Sequence, residues 1–148
     1  MITSAGTESV AIGDEAAGAG AGAVAIGNGA GAAGDQTISI GNGVAVTGNQ
    51  TVAIGNAIVS AGTESVAIGD VANAAGNASV AIGNAAEASG TNSVSIGNYT
   101  YSTFYDSVAI GSSSTAGGNG IAIGKIAKAN FASTAIGSNV INLSLIHI

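Results

Sequence analysis

A five-residue phrase recurs at a fixed spacing along most of the chain, and this spacing constrains the fold more than any other feature. The phrase joins a β-branched residue, a small residue, an isoleucine and a glycine, usually after serine or threonine. Eight copies lie fourteen residues apart, and two more follow at a spacing of thirteen. The copies are residues 9–13, 23–27, 37–41, 51–55, 65–69, 79–83, 93–97, 107–111, 120–124 and 133–137. A unit this short cannot bury its own apolar face, so the repeats must stack on one another.

Each repeat has the pattern of two short strands joined by two turns. Val80 and Ile82 alternate with Ser79 and Ala81, which is the period of a β-strand. The glycine that follows precedes Asn or Asp in most repeats, which predicts a tight turn, because both tolerate left-handed backbone angles. A second alternating segment then carries small residues at the third and fifth positions after the glycine, and ends at a second glycine. Two glycines per repeat outweigh the helix propensity of the many alanines. The chain is therefore predicted to be all-β, a parallel β-roll solenoid of about ten 14-residue coils.

The alternation also predicts which side chains fill the roll. We expect Val80, Ile82 and their equivalents to point inward, with the middle alanines on the outer face of the first strand. A flat outer face of small residues suits packing against another sheet, so we expect the chain to oligomerise through it. The Asn and Asp residues after the first glycine should form a ladder, as in cross-β stacks. Asp14 and Asp70 should interrupt that ladder, because an ionised carboxylate has no hydrogen to donate.

The composition argues against several classes of function. Only 7% of the residues are charged and the net charge is −6, which argues against nucleic acid as a partner. No run of about 18 apolar residues is present, so direct membrane insertion is not expected. We expect no catalytic, cofactor or metal site. The serines have no neighbouring base, the acidic residues are scattered rather than repeated once per coil, and His147 lies in a terminal segment that breaks the repeat.

The repeat resembles the head region of trimeric autotransporter adhesins of the YadA-like type. That family's head motif is written Asn-Ser-Val-Ala-Ile-Gly-x-x-Ser, and its best matches here are Asn92–Thr100 and Asp106–Ser114. The resemblance extends over about residues 4 to 137. It implies a left-handed roll and a homotrimer. It also implies display on the bacterial cell surface, with anchoring in the outer membrane through a C-terminal region that this sequence lacks.

The same resemblance implies a function in adhesion. Family members attach to host extracellular matrix such as collagen, to host cell surfaces or to abiotic surfaces, and the repeat motif is implicated in collagen binding. The alternatives are a passive structural spacer and a phage tail-fibre repeat, neither with a ligand of its own. Carried over to this chain, the motif gives ligand-binding candidates that lie in two consecutive repeats. They are Asn92, Ser93, Val94, Ile96, Asp106, Ser107, Val108 and Ile110.

Aromatic residues break the uniformity of the repeat within one coil. Tyr99, Tyr101 and Tyr105 are the only tyrosines, and we add them to the ligand-binding candidates because exposed tyrosine is enriched at binding hot spots. Phe104 stands where other coils have their second glycine, and Phe131 does so two coils later. These aromatic residues either form a contact patch or, for the two phenylalanines, plug against a neighbouring chain.

The last six residues, 143–148, depart from the repeat. They resemble a translated sequencing adapter rather than native protein. The predicted organisation is thus a head β-roll over residues 1–142 and a non-native tail over residues 143–148.

Overall fold

A computed structural model describes residues 1–142, and the predicted tail lies outside the described residues. Twenty short strands form two parallel sheets, and nearly every coil contributes one strand to each sheet; the coil of Val66–Asp70 contributes a strand to the first sheet only. The first sheet has ten strands: β2 (Val10–Ile12), β4 (Val24–Ile26), β6 (Ile38–Asn42), β8 (Val52–Asn56), β10 (Val66–Asp70), β11 (Val80–Ile82), β13 (Val94–Ile96), β15 (Val108–Ile110), β17 (Ile121–Ile123) and β19 (Thr134–Ile136). The prediction of an all-β parallel solenoid of about ten coils is confirmed.

The second sheet is built from two-residue strands and is divided into two halves. Its first half contains β1 (Thr3–Ser4), β3 (Ala17–Gly18), β5 (Gly31–Ala32), β7 (Ala45–Val46) and β9 (Val59–Ser60). Its second half contains β12 (Glu87–Ala88), β14 (Tyr101–Ser102), β16 (Thr115–Ala116), β18 (Lys128–Ala129) and β20 (Ile141–Asn142). In the coil between the halves, Asn73 forms an isolated parallel bridge with Glu87.

Register follows the repeat throughout the first sheet. Val66 pairs with Val80, Ala67 with Ala81, and Ile68 with Ile82, so equivalent residues lie above one another. The thirteen-residue coils keep this register, because Val108 pairs with Ile121. Identical side chains therefore form ladders along the rod, as the fixed spacing predicted.

The interior of the roll is filled by small side chains, and here one prediction is wrong. The middle residue of the first strand points inward: Ala53, Ala67 and Ala81 are completely buried. The flanking valines and isoleucines, which we expected inside, lie on the outer face. Ile54, for example, is 37% exposed. The second strand already places residues as large as Val44, Val46 and Ile58 inside. The thin roll has no room for the valine and isoleucine of the first strand as well, so the small middle residue of that strand points inward.

The second strand behaves as predicted, with small residues inside. Its third and fifth positions after the glycine are buried in most coils, as at Ala30 and Ala32. The variable fourth position faces outward, as at Val59, which is 61% exposed. Four side chains per coil thus fill the interior, two from each strand.

Many of the interior side chains are serine or threonine, and most of their hydroxyl groups form hydrogen bonds inside the roll. Ser95 Oγ donates to Thr100 Oγ1 at 2.8 Å, and Thr51 Oγ1 donates to the Gly62 carbonyl at 2.8 Å. The buried hydroxyls of Ser79, Ser93 and Ser114 have no protein partner. A hydroxyl core of this kind buries little apolar area, so the single roll gains little hydrophobic stabilisation from its interior.

Glycines occur at both turns because consecutive coils approach each other there too closely for a side chain. A Cβ placed on Gly76 would lie 2.0 Å from the Gly90 carbonyl oxygen, and one on Gly83 would lie 2.2 Å from the Gly97 oxygen. Gly83 also has a φ of 135°, in a region that other residues rarely adopt.

The predicted tight turn forms at the first glycine, which has a positive φ, as at Gly69 with φ 139°. The Asn or Asp after the glycine has no positive φ; the next residue does, as at Val71 with φ 55° and Tyr99 with φ 52°.

The predicted Asn/Asp ladder forms over four coils, but Asp70 does not interrupt it. Asn56 Nδ2 donates to Asp70 Oδ1 at 2.7 Å, and Asn84 Nδ2 donates to Asp70 Oδ2 at 3.1 Å. Asn98 continues the ladder by donating to Asn84 Oδ1 at 3.2 Å. A carboxylate has two acceptor oxygens, so Asp70 accepts from both neighbours and reverses the direction of the ladder instead of breaking it.

Candidate functional site

The outer face of the first sheet is an extended apolar surface that runs along the rod. Each coil places two β-branched side chains on it, and they stack into two ladders along the rod. At the ends of the sheet these side chains are the most exposed, with Ile12 at 56% and Ile136 at 66%. Monomeric proteins rarely leave an apolar surface of this extent uncovered. This face, which we call the Val/Ile face, is therefore suited to packing against another protein surface.

The motif candidates of the two consecutive repeats come together as predicted from their spacing. Val94 pairs with Val108 and Ile96 with Ile110, all four on the Val/Ile face.

Asn92 and Asp106 occupy the same position of the second turn in adjacent coils. Asn92 Nδ2 donates to Asp106 Oδ1 at 2.9 Å, and both residues have left-handed φ angles, 56° and 50°. They form an exposed polar pair at the edge of the Val/Ile face.

The two serine candidates lie inside the roll. Ser93 and Ser107 are fully buried, and the Ser107 hydroxyl donates to the Phe104 carbonyl at 2.6 Å. The structure therefore places Ser107 where it fastens the second turn, and Ser93 at the equivalent position of the coil before.

The three tyrosine candidates surround one coil rather than forming one cluster. Tyr99 lies in the first turn, Tyr101 on the outer face of the second sheet in β14, and Tyr105 in the second turn. All three are exposed, at 51%, 38% and 50%. Tyr105 packs edge-to-face on Phe131, with ring centroids 6.3 Å apart and an interplanar angle of 75°.

Phe104 and the change to thirteen-residue spacing, both visible in the sequence, are connected in the structure. The second turn has five residues in the fourteen-residue coils, which we call the long coils, as at 103–107. It has four residues, at 117–120 and 130–133, in the thirteen-residue coils, which we call the short coils. The first shortened turn, 117–120, stacks directly on the turn that contains Phe104. The loss of one residue from it leaves room there for a side chain. The change of spacing after residue 111 was the signal that could have located this room.

The described residues show few features of an enzyme or metal centre. Among residues 1–142, no three acidic or histidine side chains come together so that they could hold a metal ion. No helix in this part of the chain is long and apolar enough to cross a membrane.

Comparison with known families identifies the repeat. The family model for the YadA head domain repeat (2 copies) matches residues 19–43, 60–86, 74–100, 88–114 and 105–120, which together make up more than half of the chain. The chain belongs to the YadA head repeat family. Its fold is also similar to the crystal structure of the collagen-binding domain of the Yersinia adhesin YadA. That match has a TM-score of 0.64 and 28% sequence identity, and covers 96% of this chain and 87% of that one. Among curated protein sequences, none matches this chain significantly.

Family membership agrees with the resemblance that the motif suggested. The chain is a YadA-like adhesin head domain of the kind found in trimeric autotransporters. The motif segments Asn92–Thr100 and Asp106–Ser114 lie largely within the matched residues.

Proposed function

We propose that this chain is the adhesive head of a homotrimeric autotransporter, which holds a bacterium to collagen in the host extracellular matrix. The observation that carries the proposal is its similarity, over nearly its whole length, to a collagen-binding domain of a Yersinia adhesin. Its place would be the cell surface, beyond the outer membrane, with anchoring through a C-terminal region.

The Val/Ile face supports assembly with other copies of the chain. Oligomerisation through the outer side of the first strand was expected, but through alanines; the side chains on that side are valine and isoleucine. At roughly 25 cal/mol per Å² of apolar area removed from water, ladders of such residues contribute far more to association than alanines would. Packing three rolls through this face also supplies the thick apolar core that the single roll lacks.

If the Val/Ile face is covered in the trimer, the turns beside it become the accessible part of the motif. The Asn92–Asp106 pair and Tyr99 are then the candidates that a matrix protein can reach. Val94, Ile96, Val108 and Ile110 contribute through assembly, because they position the turns of neighbouring chains.

Two measurements test the proposal together. Sedimentation equilibrium should give the mass of three chains, and solid-phase binding should show attachment of that trimer to collagen rather than to fibronectin or laminin. A trimer that binds none of the three would favour the passive spacer or the phage-fibre repeat. A folded monomer would contradict the assembly.

The polar pair allows a sharper test of the ligand surface. Replacing both residues, Asn92→Ala and Asp106→Ala, should weaken collagen binding on the order of thirtyfold, the effect of losing one interface hot spot. Alanine already occupies this turn position at Ala78 and Ala132 with left-handed φ angles, so the fold should tolerate the change. Gln50→Ala, at the same position of another coil, is the matched control and should bind collagen like the unaltered chain.

A further inference from the structure

Both lysines of the chain lie near each other on the last coils, in a region without acidic side chains. Lys125 follows the glycine of a first turn, and Lys128 lies three residues later in β18, on the outer face of the second sheet. Both side chains are exposed. All eight acidic residues come at or before Asp106, so residues 107–142 carry two lysines and no carboxylate side chain, although the net charge of the chain is −6. This end of the rod is therefore locally cationic.

The acidic side chains are too distant to neutralise the two lysines. Glu87, Tyr101, Thr115 and Lys128 pair in consecutive coils, so Glu87 lies three coils from Lys128. At about 4.8 Å per coil this is about 14 Å, whereas physiological salt screens exposed charges beyond about 8 Å. Asp106 lies in a second turn, at the opposite corner of the roll. Within residues 1–142, no salt bridge joins either lysine to a carboxylate, so both ammonium groups can pair with an anion from outside the chain.

Hydroxyl groups surround the two lysines on the stacked coils. Lys125 takes the position of Asn or Asp in the first turn, with Ser112 and Ser138 at the same position of the coils on either side. Thr115 pairs with Lys128 in the second sheet and is exposed. Each of these hydroxyl groups can donate one hydrogen bond and accept others. The lysines thus lie among groups that suit a ligand rich in hydroxyls.

An exposed aromatic ring lies on the same sheet face. Tyr101 is two coils from Lys128, about 9.6 Å along the rod, with Thr115 between them. It is 38% exposed, and a tyrosine side chain combines an apolar ring face with a hydroxyl group. The ring can therefore pack against the C–H side of a sugar ring while its hydroxyl group bonds to a sugar hydroxyl. The first half of the second sheet has Gly31 and Ala45 at this position, which offer neither contact.

These groups fit an anionic polysaccharide better than other anionic partners. Anionic lipid surfaces are recognised by clusters of about four to eight basic residues, and this chain has two. Binding of nucleic acid depends in the same way on neutralising many phosphates. An acidic peptide would pair with the lysines but would use few of the hydroxyl groups. A polysaccharide that carries carboxylate or sulfate groups would use the charges, the hydroxyl groups and the ring together.

We propose that Lys125, Lys128 and Tyr101 form a binding site for an anionic polysaccharide. Its carboxylate or sulfate groups pair with the two lysines, and one of its sugar rings packs on Tyr101. The site lies in a first turn and on the second sheet, away from the Val/Ile face, so it stays accessible when that face is covered. It is a second binding function, independent of the attachment to collagen proposed above.

The test is binding of the full chain to immobilised heparin, a polysaccharide with both sulfate and carboxylate groups, measured by biolayer interferometry at several salt concentrations. Lys125→Gln combined with Lys128→Gln should reduce the affinity on the order of tenfold or more, the effect of losing hydrogen bonds to charged groups. The same variant should make binding less sensitive to salt. Tyr101→Thr, which places there the residue found at Thr115, should weaken binding by a smaller factor and leave the salt dependence unchanged.

A matched control separates the lysine site from the net charge of the chain. Gln36→Glu combined with Gln50→Glu makes the chain more negative by the same amount as the double lysine variant, but on the first coils. Glutamate already occupies this turn position at Glu8 and Glu64 with left-handed φ angles, so the fold should tolerate the change. The control should bind heparin like the unaltered chain. Equal weakening in both double variants would mean that net charge governs binding, and would overturn the proposal.

The other outcomes contradict different parts of the proposal. Unchanged heparin binding by the double lysine variant would show that the site lies elsewhere. Binding of poly-glutamate as strong as that of heparin would show a site for anions in general and overturn the assignment to a polysaccharide. No heparin binding by the unaltered chain would overturn the proposal altogether, and the collagen assay of the same chain would then show whether the proposed function still stands.

Discussion

The long coils and the short coils differ in what lies at the corner formed by the second turn. Up to the second turn that contains Phe104, consecutive coils have equal length and their backbones meet at glycine at both corners. Beyond it, the second turn loses one residue, the strands keep their register, and aromatic side chains fit at the corner. Coils of equal length therefore leave no space for a side chain at the corner of the second turn, whereas a turn shortened by one residue does.

The largest effect should come from placing a side chain at a corner of the long coils. Gly76→Ala would bring a Cβ within 2.0 Å of the Gly90 carbonyl oxygen, so the backbone must move. We expect a loss of about 3–5 kcal/mol of stability, at the upper end for single substitutions.

Thermal unfolding followed by circular dichroism measures this loss. Gly31→Ala is the matched control, because its Cβ would meet its nearest neighbour, the Val44 carbonyl oxygen, only at 3.8 Å. Gly118→Ala tests the short coils, where the neighbour is the ring of Phe131 rather than backbone. Equal melting temperatures for Gly76→Ala and Gly118→Ala would contradict the distinction between the two regions.

Restoring the missing residue should have an intermediate effect. Inserting one glycine between Gly117 and Gly118 would return that coil to fourteen residues and close the room beside Phe104. We expect destabilisation of about 2 kcal/mol, typical of overpacking.

The insertion should be tolerated when it is combined with Phe104→Gly, which restores the glycine corner. Urea unfolding of the four chains of this double-mutant cycle gives the coupling between the two changes. Purely additive effects would show that the short turn and Phe104 are independent of each other.

The smallest effect concerns the first turn, which has the same length in both regions. Val71 adopts a left-handed φ of 55° and is 53% exposed, an uncommon conformation for a β-branched residue. Val71→Asn should stabilise the chain by about 0.5–1 kcal/mol, because asparagine adopts this conformation more easily.

Ile126→Asn makes the same change in a short coil, at a φ of 59°. Similar increases in melting temperature for both variants would show that the stability of the first turn does not depend on the length of its coil. A decrease for Val71→Asn would contradict the prediction and show that the valine makes stabilising contacts that asparagine cannot replace.

Most of the architecture was predictable from particular residues. The Val-x-Ile-Gly phrase predicted the strands, their parallel stacking and the pairing of Val94 with Val108 and of Ile96 with Ile110. The small residues at Ala30 and Ala32 predicted the inner side of the second strand. The hydrogen bonding of Asp70 was mispredicted because its missing donor was considered and its second acceptor oxygen was not.

The candidate site was less predictable. The motif brought Asn92 and Asp106 together, but sequence distance could not show that Tyr99, Tyr101 and Tyr105 lie on different sides of one coil. Nor could sequence distance show that the ring of Phe131 lies against Gly118, thirteen residues earlier, because the two meet only through the stacking of the turns.

The sequence by itself determined the period, the strand register and membership of the YadA head family. A fixed repeat allows only one kind of stacking, and alternation defines two faces for each strand. Only the tertiary structure decided which face lies inside, because that depends on the width left between two strands of one coil. The second strand can bring larger side chains inside, as at Val44, Val46 and Ile58, which are fully buried. The first strand then has room only for alanine or serine at its middle position, so its valines and isoleucines point away from the roll.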